Sequence, residues 1–320
     1  MSKLIIVTGA AGFIGSGCVR VLNDLGKNNL LLVDDIKKTE KWKNLLGKKC
    51  IDFISKHQLF SFLDKWDGRI EGILHLGACS DTLEMDGCYL MENNYRYTMR
   101  LAEYALKHNI RFIYASSAAT YGDGSLGFCD DHDTLEQLKP LNLYGFSKYY
   151  FDLWAKQQGV LDRIVGLKYF NVFGPNENHK GRMASMVYKM LPIVQKEGKI
   201  SLFQSSDPKN FGDGEQCRDF IYVKDAAAIT CHFLENKLCG IFNVGSGLTT
   251  TWNTLAGAVF TAAQKPINID YVKMPDELAR QYQNYTKAVI KKKMGMVPRF
   301  NIQEAVTDYV QNHLIPDVRW

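Results

Sequence analysis

No C-x-x-C pair occurs in this chain, although eight cysteines (18, 50, 79, 88, 129, 217, 231 and 239) are spread over its 320 residues. Scattered thiols give neither a zinc ligand set nor the paired spacing of a redox motif. Several sit inside apolar runs, where free cysteine acts as a small hydrophobe. Reduced thiols, no metal and a cytoplasmic location are the expectation. The chain also lacks an apolar run of membrane-span length. Its start, Met1-Ser2-Lys3 before Leu4-Ile5-Ile6-Val7, is too short in apolar residues for a signal peptide. A net charge of +5 is dispersed, without a basic block or an aromatic-interleaved basic stripe. Neither a nucleic-acid nor a membrane partner is expected. Internal repeats and low-complexity segments are missing too.

What remains is ordinary globular composition, 46% hydrophobic and 23% charged. Leu4 to Thr8 reads as a buried strand. Gly9-Ala10-Ala11-Gly12-Phe13-Ile14-Gly15 follows, then a helical pattern through Val19, Leu22 and Leu25. Strand, glycine turn and helix form the context of a dinucleotide-binding loop. In that reading Gly9 permits the tight turn, Gly12 the approach of backbone to pyrophosphate, and Gly15 close helix–strand packing. Leu30 to Val33 is a second strand, ending at Asp34 and Asp35. Asp34 stands where an acid binds the nucleotide ribose. Gly72–Leu76 and Arg111–Ala115 read as further strands, with a helix over Asn94–His108 between them. Alternating strands and helices predict an α/β fold, a doubly wound parallel sheet of Rossmann type, with ligands at the carboxyl ends of the strands. Gly77-Ala78 and Ser116-Ser117 fall at such ends.

Chemistry is expected at Asn142-Leu143-Tyr144-Gly145-Phe146-Ser147-Lys148. Residues four apart share a helical face, so Tyr144 and Lys148 should project together. An ammonium about 4 Å from a phenol, at an effective dielectric near 20, favours phenolate by roughly 4 kcal/mol. That predicts a tyrosine with its pKa drawn down into the range of proton transfer.

Gly9-x-x-Gly12-x-x-Gly15, Ser117, Tyr144-x-x-x-Lys148 and Arg218-Asp219-Phe220-Ile221-Tyr222-Val223-x-Asp225 resemble, in this order, the extended short-chain dehydrogenase/reductase superfamily and its nucleotide-sugar epimerases. Dehydratases of that group carry an Asp-Glu pair where this chain has Ala118-Ala119, so dehydration is not expected. A narrower resemblance is to the ADP-glycero-manno-heptose 6-epimerase family. It rests on His75-Leu76-Gly77-Ala78-Cys79-Ser80, Tyr114 to Gly122, Phe170-Asn171-Val172-Phe173-Gly174-Pro175, His179-Lys180-Gly181 and Gly240 to Gly245.

That resemblance implies epimerisation at C6″ of ADP-heptose through a transient ketone, serving lipopolysaccharide core synthesis. Tyr144 and Lys180 would be the two acid/bases, Lys148 would hold the nicotinamide ribose, and Ser117 would bond the reacting region. It also implies cofactor contacts at Phe13, Ile14, Asp34, Asp35, Lys41, Lys56, Leu76, Gly77, Ala78, Cys79, Ser80, Asn93, Val172 and Lys180. The cofactor is expected to be NADP, tightly bound and one per subunit, with NAD the alternative. An acid at the end of the second strand favours NAD, whereas Lys41 and Lys56 favour a 2′-phosphate. Substrate contacts are expected at Asn171, Arg182, Lys189, Phe203, Gln204, Ser205, Ser206, Arg218 and Tyr282. Arg182 and Lys189 depart from the family's Ser and His. The family further implies a homo-oligomer, a ring of five.

Residues 1–170 with 218–245 are expected to form the NADP-binding domain, and 171–217 with 246–320 a smaller substrate lobe. From Asn171 onward, Ala184–Lys196, Lys224–Glu235 and Thr251–Ala263 read as helices and Ile200–Phe203 as a strand, the second of these helices falling in the NADP-binding domain. Asp207–Glu215 reads as a loop, and Asn301-x-x-Glu304 as a capping box. Two other readings share parts of this evidence. A UDP-hexose 4-epimerase would share the glycine loop, Ser117, Tyr144 and Lys148 but would not need Lys180. A non-catalytic nucleotide sensor would not need the intact Tyr/Lys pair.

Overall fold

The computed structural model describes residues 3–275, 282–291 and 294–320. Aliphatic and β-branched segments build a seven-stranded sheet from β1 (Leu4–Thr8), β2 (Leu30–Val33), β3 (Asp52–Ile54), β4 (Ile70–His75), β5 (Arg111–Ser117), β6 (Ile164–Tyr169) and Gly240–Val244. Its order is Gly240–Val244, β6, β5, β4, β1, β2, β3. Every neighbouring pair is parallel. All five residues of β1 are buried, because both faces of the sheet are covered. Alternation splits them. Ile5 and Val7 pack with Val19 and Leu22 of α1 (Phe13–Asp24) and with Ala226 and Ile229 of α7 (Val223–His232). Leu4 and Ile6 face the other way. They meet Leu101 and Ala105 of α4 (Tyr97–Lys107), and Phe151 and Ala155 of α5 (Leu143–Gln157).

From β1 the chain winds outward to β2 and β3, then crosses back to β4, β5 and β6 on the other side. The crevice between β1 and β4 is the switch point of the sheet, where such folds bind ligands. The expected doubly wound α/β architecture is therefore present. The helix expected over Asn94–His108 is interrupted: a π-type turn over Met91–Arg96 precedes α4.

A second hydrophobic cluster lies apart from the sheet. It joins Val187, Met190 and Val194 of α6 (Met186–Glu197) to Leu255, Val259 and Phe260 of α8 (Trp252–Ala262), and to Val306 and Tyr309 of the last helix, Ile302–Tyr309. The expected strand Ile200–Phe203 is present and pairs in parallel with Ile269–Val272. Thr251 caps α8 and Asn301 with Glu304 forms the capping box, both as expected. No helix among the described residues is long and apolar enough to cross a membrane.

Candidate active site

The glycine turn fits its expected roles in two places. Gly9 has φ +67°, and a Cβ there would come within 2.7 Å of the Gly77 nitrogen at the end of β4. A Cβ on Gly15 would run into the Gly9 carbonyl oxygen. Helix α1 then starts at Gly12 with no side-chain cap and no acid in its first turn. An uncapped helix start, with its positive dipole end, suits a phosphate.

A cavity of about 520 Å³ opens at this point. The glycine turn, Phe13, Ile14 and the Leu76–Ser80 stretch form one wall. Ser117, Tyr144, Lys148, Val172 and Lys180 line it as well. A smaller cavity of about 170 Å³ adjoins Asp34, Asp35, Lys41, Lys56 and Asn93. Two elements far apart in sequence thus bring Tyr144 and Lys180 to one chamber.

Helix α5 supplies the first. Its N-cap is Asn142, whose side chain accepts from the Gly145 N–H at 2.7 Å. Tyr144, Lys148 and Asp152 follow at helical spacing. Lys148 is 5% exposed, and burial depresses its pKa to about 8 against the raising influence of Asp152. The Asp152 carboxylate is fully buried, 2.9 Å from Lys168 Nζ, and accepts from Tyr114 and Ser116 at 2.8 and 2.7 Å. Burial pushes the Tyr144 phenol up rather than down; a hydrogen bond with Ser117 pulls the other way, and the Cys79 thiol adds to the rise. The expected phenol drawn down by Lys148 is therefore not what the protein alone provides, since desolvation raises it and the opposing influence comes from Ser117.

The 178–183 segment supplies the second. Lys180 Nζ stands 5.0 Å from the centroid of the Phe13 ring. Its pKa is lowered by burial and by Lys189, with Glu177 opposing. Gly181, at φ +51°, turns the chain immediately after it.

At the end of β2, Asp34 accepts from the Ala11 N–H at 2.9 Å and pairs with Lys41 at 2.8 Å. Asp35 accepts from the Ser55 hydroxyl at 2.8 Å and faces Lys56 at 3.8 Å and His57 at 3.4 Å. Lys56 also donates to Asn93 at 2.8 Å.

The expected substrate residues do not line the large cavity. Arg218 stacks near Tyr282, 5.1 Å to the ring, and near Trp252, 5.9 Å, while Trp252 donates to the Tyr282 hydroxyl. Arg182 pairs with Asp81 at 2.6 Å, and Lys189 donates to the Arg182 carbonyl at 2.7 Å. Phe203 is part-exposed and Asn171 exposed. The Gln204 N–H pairs with Val272, and Ser205 bonds Asp213 and Asp207 of the loop expected over Asp207–Glu215; Ser206 adjoins them.

Sequence reasoning assigned no role to Asn94 or Asp152, and it met Glu177 only as part of the 174–185 motif that carries the family resemblance. Asn94, in the π-type turn, accepts from the Cys79 N–H at 2.8 Å and donates to Ser147 at 3.0 Å, tying the β4 end to α5. Only the continuation of the Tyr144–Lys148 spacing to Asp152 offered a signal.

A parallel sheet with an uncapped glycine turn, and a Ser/Tyr/Lys set in the adjoining chamber, define a nucleotide-dependent sugar-modifying enzyme of the short-chain type. Residues 5–245 match the NAD dependent epimerase/dehydratase family. A curated relative from Nitratidesulfovibrio vulgaris (strain DP4), an ADP-L-glycero-D-manno-heptose-6-epimerase, is 46% identical, with 97% of each chain covered. One from Fusobacterium nucleatum of the same name is 43% identical, covering 97% of this chain and 98% of that one. The Helicobacter pylori enzyme of that name superposes with a TM-score of 0.81 at 26% identity, over 97% and 96% of the two chains. The chain belongs to the ADP-L-glycero-D-manno-heptose-6-epimerase family, and it is an isomerase that uses a nicotinamide cofactor.

Proposed function

We propose that this enzyme inverts C6″ of ADP-D-glycero-manno-heptose, giving the L-glycero epimer through a transient C6″ ketone, with Tyr144 and Lys180 as the acid/base pair. The carrying observation is that a phenol from α5 and an amine from the 178–183 segment line one chamber beside the glycine turn. A nicotinamide held by the glycine turn and Lys148 would supply reversible hydride transfer at C6″. The hydroxyl points oppositely in the two epimers, so a proton-transfer group is needed on each side. Ser117 bonds the reacting region. The Lys148 ammonium holds the nicotinamide ribose and favours the phenolate whenever Tyr144 must accept a proton. Arg218, fixed against Tyr282 and Trp252, presents its guanidinium to the diphosphate. The substrate lobe comprises 171–217 with 246–320.

For the cofactor we favour NADP. Lys41 and Lys56 each stand beside a carboxylate, and Lys37 adds its charge near Asp35. Three lysines against Asp34 and Asp35 leave that rim net positive, which suits a 2′-phosphate better than bare acids would. The enzyme is read as a cytoplasmic homo-oligomer, a pentamer, supplying a lipopolysaccharide core precursor.

The deciding experiment offers the purified protein ADP-heptose and UDP-galactose and follows epimer ratios by NMR. Turnover of ADP-heptose alone is expected; turnover of UDP-galactose alone overturns the reading. Nucleotide released on denaturation should be NADP.

A further inference from the structure

The segment carrying Lys180 is stapled by a single carboxylate that the mechanism above does not use. Glu177 is fully buried. Its Oε1 accepts from the Gly174 N–H at 3.3 Å and the Ser185 hydroxyl at 2.6 Å, and its Oε2 accepts from the Ser185 N–H at 2.6 Å. Gly174 and Ser185 bracket the stretch in which Lys180 lies. The Glu177 carbonyl also accepts from the Lys180 N–H at 2.9 Å. Three donors converging on two oxygens suit the anion, and the carboxylate thereby closes the loop on itself. The loop is registered to the cofactor cradle from outside as well. Asn44 donates to the carbonyls of Ala11 and Asn176, both at 3.0 Å, and Asn176 donates to the Ser16 hydroxyl at 3.0 Å.

We propose that Glu177 is the positioning residue for Lys180, clamping the segment that places the amine over Phe13 at the chamber wall. This rests on Lys180 being the second acid/base. The charged and titratable groups that bear on it are few. Lys180 faces Glu177, Lys189 of α6 and its neighbour His179, and α1 contributes only the Phe13 ring. Glu177 faces Lys180 and the Tyr309 hydroxyl of the last helix, with Tyr188 and Tyr222 beyond that hydroxyl. Lys189 lowers the affinity of Lys180 for its proton and Glu177 raises it. Removing the carboxylate leaves only the lowering influences.

Glu177→Gln keeps the shape but turns an amide NH₂ toward one of the three donors. The expected result is a kcat lowered roughly 10- to 10²-fold, the scale of misplacing an acid/base group. KM for ADP-heptose should change little. The pH-rate limb belonging to Lys180 should move to lower pH by roughly one unit, as losing a nearby opposite charge requires. The limb belonging to Tyr144 should stay in place. A purely structural role would lower kcat without moving one limb selectively, and that outcome overturns the proposal, as does a wild-type kcat. Lys180→Met is measured alongside. If it retains wild-type turnover, the acid/base reading of Lys180 fails; if it is inactive while Glu177→Gln is unchanged, only the present inference fails. Should Glu177→Gln not fold by circular dichroism, Glu177→Asp keeps a carboxylate but draws it back by one methylene. It should lower kcat several-fold with the Lys180 limb moved to lower pH, and an unchanged kcat or an unmoved limb overturns the proposal.

Discussion

The two stations proposed for proton transfer, Tyr144 and Lys180, are built on opposite principles. Tyr144 rides on a capped helix whose own repeat delivers Lys148 and Asp152 behind it, and a buried ion pair backs the row. Lys180 rides on a short turn with a left-handed kink at Gly181, and no helical repeat holds it. A clamp within the same segment, Glu177 to Ser185, fixes it, and contacts from elsewhere register it: Asn44 to Asn176, and the amine over Phe13. A helix makes geometry from periodicity, whereas a loop must import geometry from tertiary contacts.

The sharpest test of the comparison removes the helical station's phenol. Tyr144→Phe should lower kcat by about 10²- to 10⁴-fold, the range an acid/base contributes. Substrate affinity measured by titration calorimetry should be nearly unchanged. Asp152→Ala tests the support behind that station. It leaves the buried Lys168 ammonium unpaired and strips Tyr114 and Ser116 of their acceptor. Loss of one partner of a buried pair costs about 3–5 kcal/mol. Urea unfolding should register that loss, and a variant as stable as wild type would show that the pair does not anchor the helix.

The same contrast governs what could be read from sequence. Strands β1 and β2, the glycine turn and the Tyr144/Lys148 face were legible because local pattern determines them: an aliphatic run, glycine spacing, residues four apart. The last cap, Asn301 with Glu304, was legible for the same reason. The break before α4 was not, since no local pattern marks the π-type turn at Met91–Arg96, within which the Asn94 side chain bonds Cys79 and Ser147. Lys180 and Glu177 were visible only through resemblance, and the role of Glu177 as a clamp was not, because its bonds to Gly174 and Ser185 follow from no helical or strand period. The error in the Tyr144 pKa has a physical origin too. A pairwise Coulomb argument counted the ammonium and omitted the desolvation that the buried helix face imposes on both groups.

That desolvation gives a prediction of opposite sign to the one for Asp152. Lys148 holds its proton only up to pH about 8 in the folded chain, against an ordinary lysine value of 10.5. Between those pH values the unfolded state binds more protons, so stability rises with pH across the window. Below pH 8 the whole penalty is present, on the order of 3 kcal/mol. Lys148→Met should therefore lose activity yet raise the melting temperature at pH 7. The gain should shrink as pH climbs toward 10. A melting temperature below wild type at pH 7 would show that the ammonium stabilises the fold.

The smallest effect is expected furthest from both stations, at the rim that reads the cofactor. Lys41 neutralises Asp34 at 2.8 Å, and Asp34 is held in place by the Ala11 N–H whether or not the lysine is there. Lys41→Ala should therefore leave the carboxylate fixed but uncompensated. It would then repel a 2′-phosphate while still accepting from a ribose 2′-hydroxyl. Partly exposed charges of this kind are worth about 1 kcal/mol each, or roughly a fivefold change in affinity. Competitive binding followed by nicotinamide fluorescence should show NADPH weakened by about that factor, with NADH unchanged or slightly tighter. Equal weakening of both cofactors would mean that Lys41 only orders the Glu40–Leu45 turn and carries no discrimination, and the rim would then differ from the two stations in having no residue that reads its ligand.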